Sequence, residues 1–130
     1  MIVVDSSVWI DYFTDRVSNA TKHLDSLLGT DFVVVGDLIL VEVLQGLRVD
    51  ADYVAAKALL DSLDVIEMLG AANAIASAEN YRSLRKKGAT VRKSSDVIIA
   101  TACIARDAPL LFSDRDFIPF VEHLGLKAAI

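Results

Sequence analysis

Four acidic residues stand where apolar segments meet polar ones, and together they have the chemistry of a divalent-cation pocket. Asp5 closes the run Ile2-Val3-Val4. Glu42 sits inside Ile39-Leu40-Val41-Glu42-Val43-Leu44, Asp96 leads into Val97-Ile98-Ile99-Ala100, and Asp114 follows Leu110-Leu111-Phe112-Ser113. Gathered in one place, each pair of carboxylates about 4 Å apart repels by on the order of 4 kcal/mol at an effective dielectric of 20. A hard cation such as Mg²⁺ or Mn²⁺ turns that repulsion into coordination. An all-oxygen donor set does not suit zinc, and neither His23 nor His123 has a histidine or cysteine at ligand spacing.

Each acid also has an ordinary structural reading. Glu42 is either an exposed residue on a largely buried helix or a carboxylate with a distant partner, because no Lys or Arg lies at helical spacing before Arg48. Asp96 sits in a helix's first turn, where the dipole alone favours an acid. Asp116 either supplements the site or caps the turn at Phe117, with the cap slightly favoured. If the strands at 2–5 and 109–112 run parallel and close together, Asp5 and Asp114 emerge at one sheet edge, where open α/β sheets place their ligand crevice.

The charge distribution adds a second feature. Net charge is −5 and the isoelectric point about 4.8, which argues against coating nucleic acid with the whole surface. Yet six of the 13 Lys and Arg residues are Arg82, Arg85, Lys86, Lys87, Arg92 and Lys93. Cations at 85–87 suit a helix carboxyl end. Arg92 and Lys93, just before Asp96, form a candidate phosphate-holding edge, with Arg85 and Lys86 as further candidates for RNA contact.

The elements that must position these groups alternate between strand and helix. Strands are expected at 2–5, 32–35, weakly at 64–67, at 109–112 and at a possible edge, 126–129. Helices are expected to about 13 from a cap at Ser6 or Ser7, then at 18–28, 38–48, 53–62, 71–87 and 96–106, the last capped by Ser94 or Ser95, with a short turn at 117–123. Such alternation implies a parallel sheet flanked by helices. The 130 residues, 54% of them hydrophobic, fit one domain spanning 1–130. The lone Cys103 excludes a disulfide framework and suggests a reducing compartment, with cytoplasm the simplest setting. No run is long and apolar enough for a membrane span.

Val-Asp-Ser-Ser-Val-Trp-Ile-Asp at 4–11, the helix bearing Glu42, Arg-Lys-Ser-Ser-Asp-Val-Ile-Ile-Ala at 92–100 and Leu-Phe-Ser-Asp-Arg-Asp-Phe at 111–117 resemble the PIN-domain nucleases, in particular the VapC toxins. The resemblance spans nearly the whole chain. It implies a three-layer α/β/α fold with a central parallel sheet, Mg²⁺- or Mn²⁺-dependent RNA cleavage, a homodimer and a VapB-type antitoxin partner. By position Asp5, Glu42, Asp96 and Asp114 match the family's acidic quartet, and Asp116 is a possible extra ligand. Ser6 and Ser113 fall where the family often has a hydroxyl near the site; Phe112 replaces a common Thr.

The implied chemistry is hydrolysis of an RNA phosphodiester by a metal-activated water, the ion held chiefly by Asp5, Asp96 and Asp114, with Glu42 bound directly or through water. Other classes stay open. A PIN-domain nuclease outside a toxin-antitoxin pair or a non-catalytic nucleic-acid-binding module would share this fold. A phosphoryl-accepting signalling domain would want an acid pair after the first strand, where this chain has Asp5-Ser6-Ser7. No Gly-x-Ser-x-Gly elbow or phosphate-binding glycine loop is present.

Overall fold

The β-branched stretch near the amino terminus becomes the middle of the sheet. In the computed structural model, which describes residues 1–129, β1 (Ile2–Val4) lies between β2 (Val33–Gly36) and β4 (Leu110–Leu111), and β3 (Val65–Ile66) pairs with β2 at the edge. All pairings are parallel, in the order β3-β2-β1-β4, with Val3 opposite Val34 on one side and Leu110 on the other. Val33, Val34 and Val35 are all buried, as expected of strands covered on both faces. The expected strand at 126–129 reduces to a single bridge between Leu110 and Ala128. Strand 64–67 shrinks to two residues because Val65, 53% exposed, lies at the sheet's edge with little to cover it.

The helices are α1 (Ser6–Phe13), α2 (Asn19–Leu27), α3 (Asp37–Gly46), α4 (Asp50–Asp61), α5 (Ala71–Lys86), α6 (Ser94–Ala105) and α7 (Ile118–Leu124), with a 3₁₀ turn at Arg115–Phe117 before α7. They give the expected α/β/α architecture: α1 packs against α2 and α3, while α5 packs along α6 and touches α7. Two of the expected caps are corrected. Asp5, rather than Ser6 or Ser7, caps α1, and α6 starts at Ser94 after Lys93 without a side-chain cap. Ser18 caps α2 in a reciprocal capping box with Thr21. Among the described residues no helix is long and apolar enough to cross a membrane.

At the join between β2 and α3 the backbone comes close to a buried side chain. A Cβ on Gly36 would lie 2.1 Å from the sulfur of Met68, which is fully buried. The Asp37 carboxylate fixes the same corner, accepting from the backbone N–H of Leu38 at 2.8 Å and of Met68 at 3.0 Å. Gly36→Ala is therefore expected to overpack this corner and cost about 1–3 kcal/mol. The expected reading is a lower urea midpoint at unchanged slope; an unaltered midpoint would show that Met68 has room to move.

Candidate metal centre

Asp5 reaches the site because β1 pairs in parallel with β4. Its backbone N–H donates to the Leu111 carbonyl at 2.9 Å, so the chain leaves both strands at the same end. The Asp5 carboxylate then turns back onto its own helix, accepting from the Ser7 hydroxyl at 2.6 Å and the Ser7 N–H at 3.3 Å. It is only 5% exposed. Burial pushes its pKa up, the bonds from Ser7 and the Ser6 N–H oppose that shift, and the neighbouring Glu42 charge adds to it.

Glu42 has a distant partner: half-buried on α3, it accepts the Ser6 hydroxyl at 2.6 Å across 36 positions of sequence. The serine pair after Asp5 is thus divided, Ser6 serving Glu42 and Ser7 serving Asp5. The sequence offers Ser6 or Ser7 as the cap and, through the resemblance, Ser6 as a hydroxyl near the site, but it does not give the Ser7 contact. The available signal was the Asp-x-Ser spacing at a helix start, where a side-chain acceptor faces the second residue on.

Asp96 is the most perturbed of the acids. It lies in the first turn of α6, 6% exposed, and one carboxylate oxygen is buried without a hydrogen-bond partner among the described residues. Burial pushes its pKa to about 6, with Asp5, Asp114 and Glu42 adding like-charge repulsion and Lys93 partly offsetting it. All three other expected acids therefore act on this one carboxyl.

The turn after β4 supplies the rest. Asp114 caps it, accepting from the Asp116 N–H at 2.9 Å, which corrects the expectation that Asp116 would be the cap. Asp116 instead joins the site: one oxygen each from Asp96, Asp114 and Asp116 lies within 4.8 Å of the others. The closest cluster is thus Asp96, Asp114 and Asp116, with Asp5 and Glu42 coupled to it electrostatically. Carboxylate-only donors and the partnerless Asp96 oxygen fit a hard divalent cation, because a buried acceptor without a donor is costly.

The basic candidates lie at the end of α5 and just before α6. Arg92, its side chain 79% exposed, pairs with Asp116 at 3.3 Å. Lys93 is exposed immediately before α6. Arg85 lies over the Tyr81 ring, 5.6 Å from its centroid, and Lys86 is exposed at the end of α5. Ser113 is exposed. Cys103 lies inside the core, where burial pushes its thiol up to about 12.

Comparison with known proteins gives the same direction. The PIN domain model matches residues 2–120. VapC ribonuclease Mb1587 of Mycobacterium bovis and Ribonuclease VapC11 of Mycobacterium tuberculosis are each 30% identical over 131 residues, covering 99% of this chain and 98% of theirs. A crystal structure of VapBC2 from Rickettsia felis, bound to a DNA fragment from their promoter, includes a chain with the same fold at a TM-score of 0.77 and 18% identity, covering 98% of this chain and 97% of that one. A parallel sheet with acids at one end and a match over almost its full length have one common explanation: the chain belongs to the PIN domain family, in its VapC branch.

Proposed function

We propose that this chain is a Mg²⁺- or Mn²⁺-dependent endoribonuclease and the toxin of a type II toxin-antitoxin pair. The observation that carries the reading is the buried, partnerless oxygen of Asp96 beside Asp114 and Asp116. Asp96, Asp114 and Asp116 would hold the cation, with Asp5 and Glu42 directly or through water. When bound, a divalent ion lowers the pKa of water and neutralises charge on a scissile phosphate.

The protein's own groups prepare that chemistry. Ser7 fixes the Asp5 carboxylate and Ser6 fixes Glu42, so both acids face the site in set orientations. Arg92 holds Asp116 on the exposed side, where it and Lys93 can meet the RNA backbone. A VapB-type antitoxin is the proposed partner, consistent with the VapBC2 structure. Exposed Tyr53 and Val54 on α4 and Ile75 on α5 support association with it or with a second copy as a homodimer.

The test is cleavage of single-stranded RNA by the purified protein after removal of divalent ions, then with Mg²⁺ or Mn²⁺ added back. Cleavage is expected only after addition; cleavage in excess chelator would remove the metal from the reaction. Changing Arg92 and Lys93 together to Ala is expected to weaken RNA binding and make its salt slope shallower by about 1.4, the value for two lost phosphate contacts on a single strand. An unchanged slope would place both residues off the RNA path.

A further inference from the structure

Between α5 and α6 lies a cavity of about 510 Å³, and Arg92 connects it to the acids: the residue lines the cavity and pairs with Asp116. That volume is in the range of small-ligand sites. Val97 and Ile98 form apolar wall, Tyr81 presents a half-buried ring, and Arg82, Arg85 and Arg92 supply positive charge. Ser77, 6% exposed, also lines the cavity, and its buried hydroxyl has no hydrogen-bond partner among the described residues. A protein of net charge −5 thus has three arginines around an aromatic ring and an unused polar group.

We propose that this cavity is a base-binding subsite for a nucleotide flanking the scissile phosphate, a reading that rests on the nuclease assignment. The Arg85 guanidinium over the Tyr81 ring occupies a face on which a planar base can stack. Arg85 is exposed, with no salt bridge to an acid among the described residues, so it can yield the ring and turn to the phosphate of the same nucleotide. Ser77, whose hydroxyl is closed to solvent, gains a partner when the wall opens around an entering base. Arg92, shared between cavity and acids, fixes the order: the base enters the cavity while the adjoining phosphate passes along Arg92 toward the acids. Arginine and an aromatic ring at one apolar pocket are what unstacked single-stranded RNA uses for binding, whereas an acidic peptide would use the charge and leave the ring idle.

The experiment compares the wild type with Tyr81→Leu, which keeps apolar bulk but removes the stacking face, and Tyr81→Phe, which keeps the face. On a single-stranded oligoribonucleotide, Tyr81→Leu is expected to raise KM about tenfold, with the loss falling on KM rather than kcat, and Tyr81→Phe to behave like the wild type. An abasic nucleotide beside the cleavage site is expected to produce the same rise in the wild type. Titration with 5′-AMP without divalent ion, followed by NMR, is expected to shift the amides of Ser77, Tyr81 and Ile98. An unchanged KM in Tyr81→Leu, or equal defects in Leu and Phe variants, overturns the subsite while leaving the nuclease intact. So does loss of binding to a protein partner in Tyr81→Leu with RNA kinetics untouched. Absence of cleavage by the wild type defeats the nuclease reading instead, and absence of 5′-AMP shifts at these amides overturns the subsite independently of cleavage.

Discussion

Asp96→Asn is expected to eliminate RNA cleavage and, in metal-free protein, to raise the melting temperature. Loss of a group that only supports a metal ligand costs roughly 10- to 100-fold, so removal of a direct ligand should cost more. The stability gain arises because the folded chain holds Asp96 at about pKa 6, above its ordinary value of 3.8, through burial and the charges of Asp5, Asp114 and Glu42. Between those values the folded state binds more protons than the unfolded one, so metal-free stability rises as pH falls. Ionised Asp96 therefore destabilises fully at pH 7 and above, and this penalty fades as pH falls through about 6 toward 4. The melting gap between Asp96→Asn and wild type should be several degrees at pH 7.5 and nearly close at pH 4, given roughly 4 °C per kcal/mol at this size.

Added Mg²⁺ should reverse the order, because ligand binding stabilises only the protein able to bind it. Proton and cation compete for Asp96, so wild-type affinity for the ion should also weaken as pH falls through about 6. Calorimetry of both proteins at two pH values, with and without Mg²⁺, reads all of this. Equal Mg²⁺ stabilisation of the Asn variant would remove Asp96 from the ion's ligands.

Phe117→Ala is expected to be the costliest core truncation near the site. Phe117 is fully buried and tilts against Phe112 with ring centroids 5.3 Å apart. It ends the short turn whose first residues follow Asp114 and include Asp116. Truncating a buried Phe costs about 3–5 kcal/mol, or roughly 10–20 °C of melting temperature here. The same cavity frees the turn, so cleavage measured well below the melting transition should fall about tenfold or more. Phe117→Leu, which keeps most of the volume, should restore much of both. Normal cleavage by a destabilised Phe117→Ala protein would mean that the turn is held by its hydrogen bonds alone.

Much of this arrangement was legible in the letters because a parallel strand covered on both faces and an acid at its end leave strong local marks. Ile2-Val3-Val4-Asp5 and Leu110-Leu111 carried both, and their pairing follows from the alternation of elements. The sheet's edges were less legible: Val65-Ile66 and Ala128 have little burial to imprint a pattern. Spacing offered Asp116 as the cap of this turn, and only the folded backbone shows that Asp114 caps it while both acids lie beside Asp96. The division of Ser6 and Ser7 between two acids was invisible for a similar reason, since one acceptor lies 36 residues away. The cavity beside α5 left no motif because its walls come from two helices meeting face to face.

The central strand takes one neighbour from residue 33 onward and the other only from residue 110. During synthesis, a chain that has emerged through α6 already carries Asp5, Glu42 and Asp96, but it lacks the strand that fills the open side of β1 and the turn that brings Asp114 and Asp116. Pairing across such a separation comes late, after a large loop has closed. Translation products that stop before residue 110 therefore cannot assemble the pocket, whatever acids they contain, and its completion waits for the turn that follows β4.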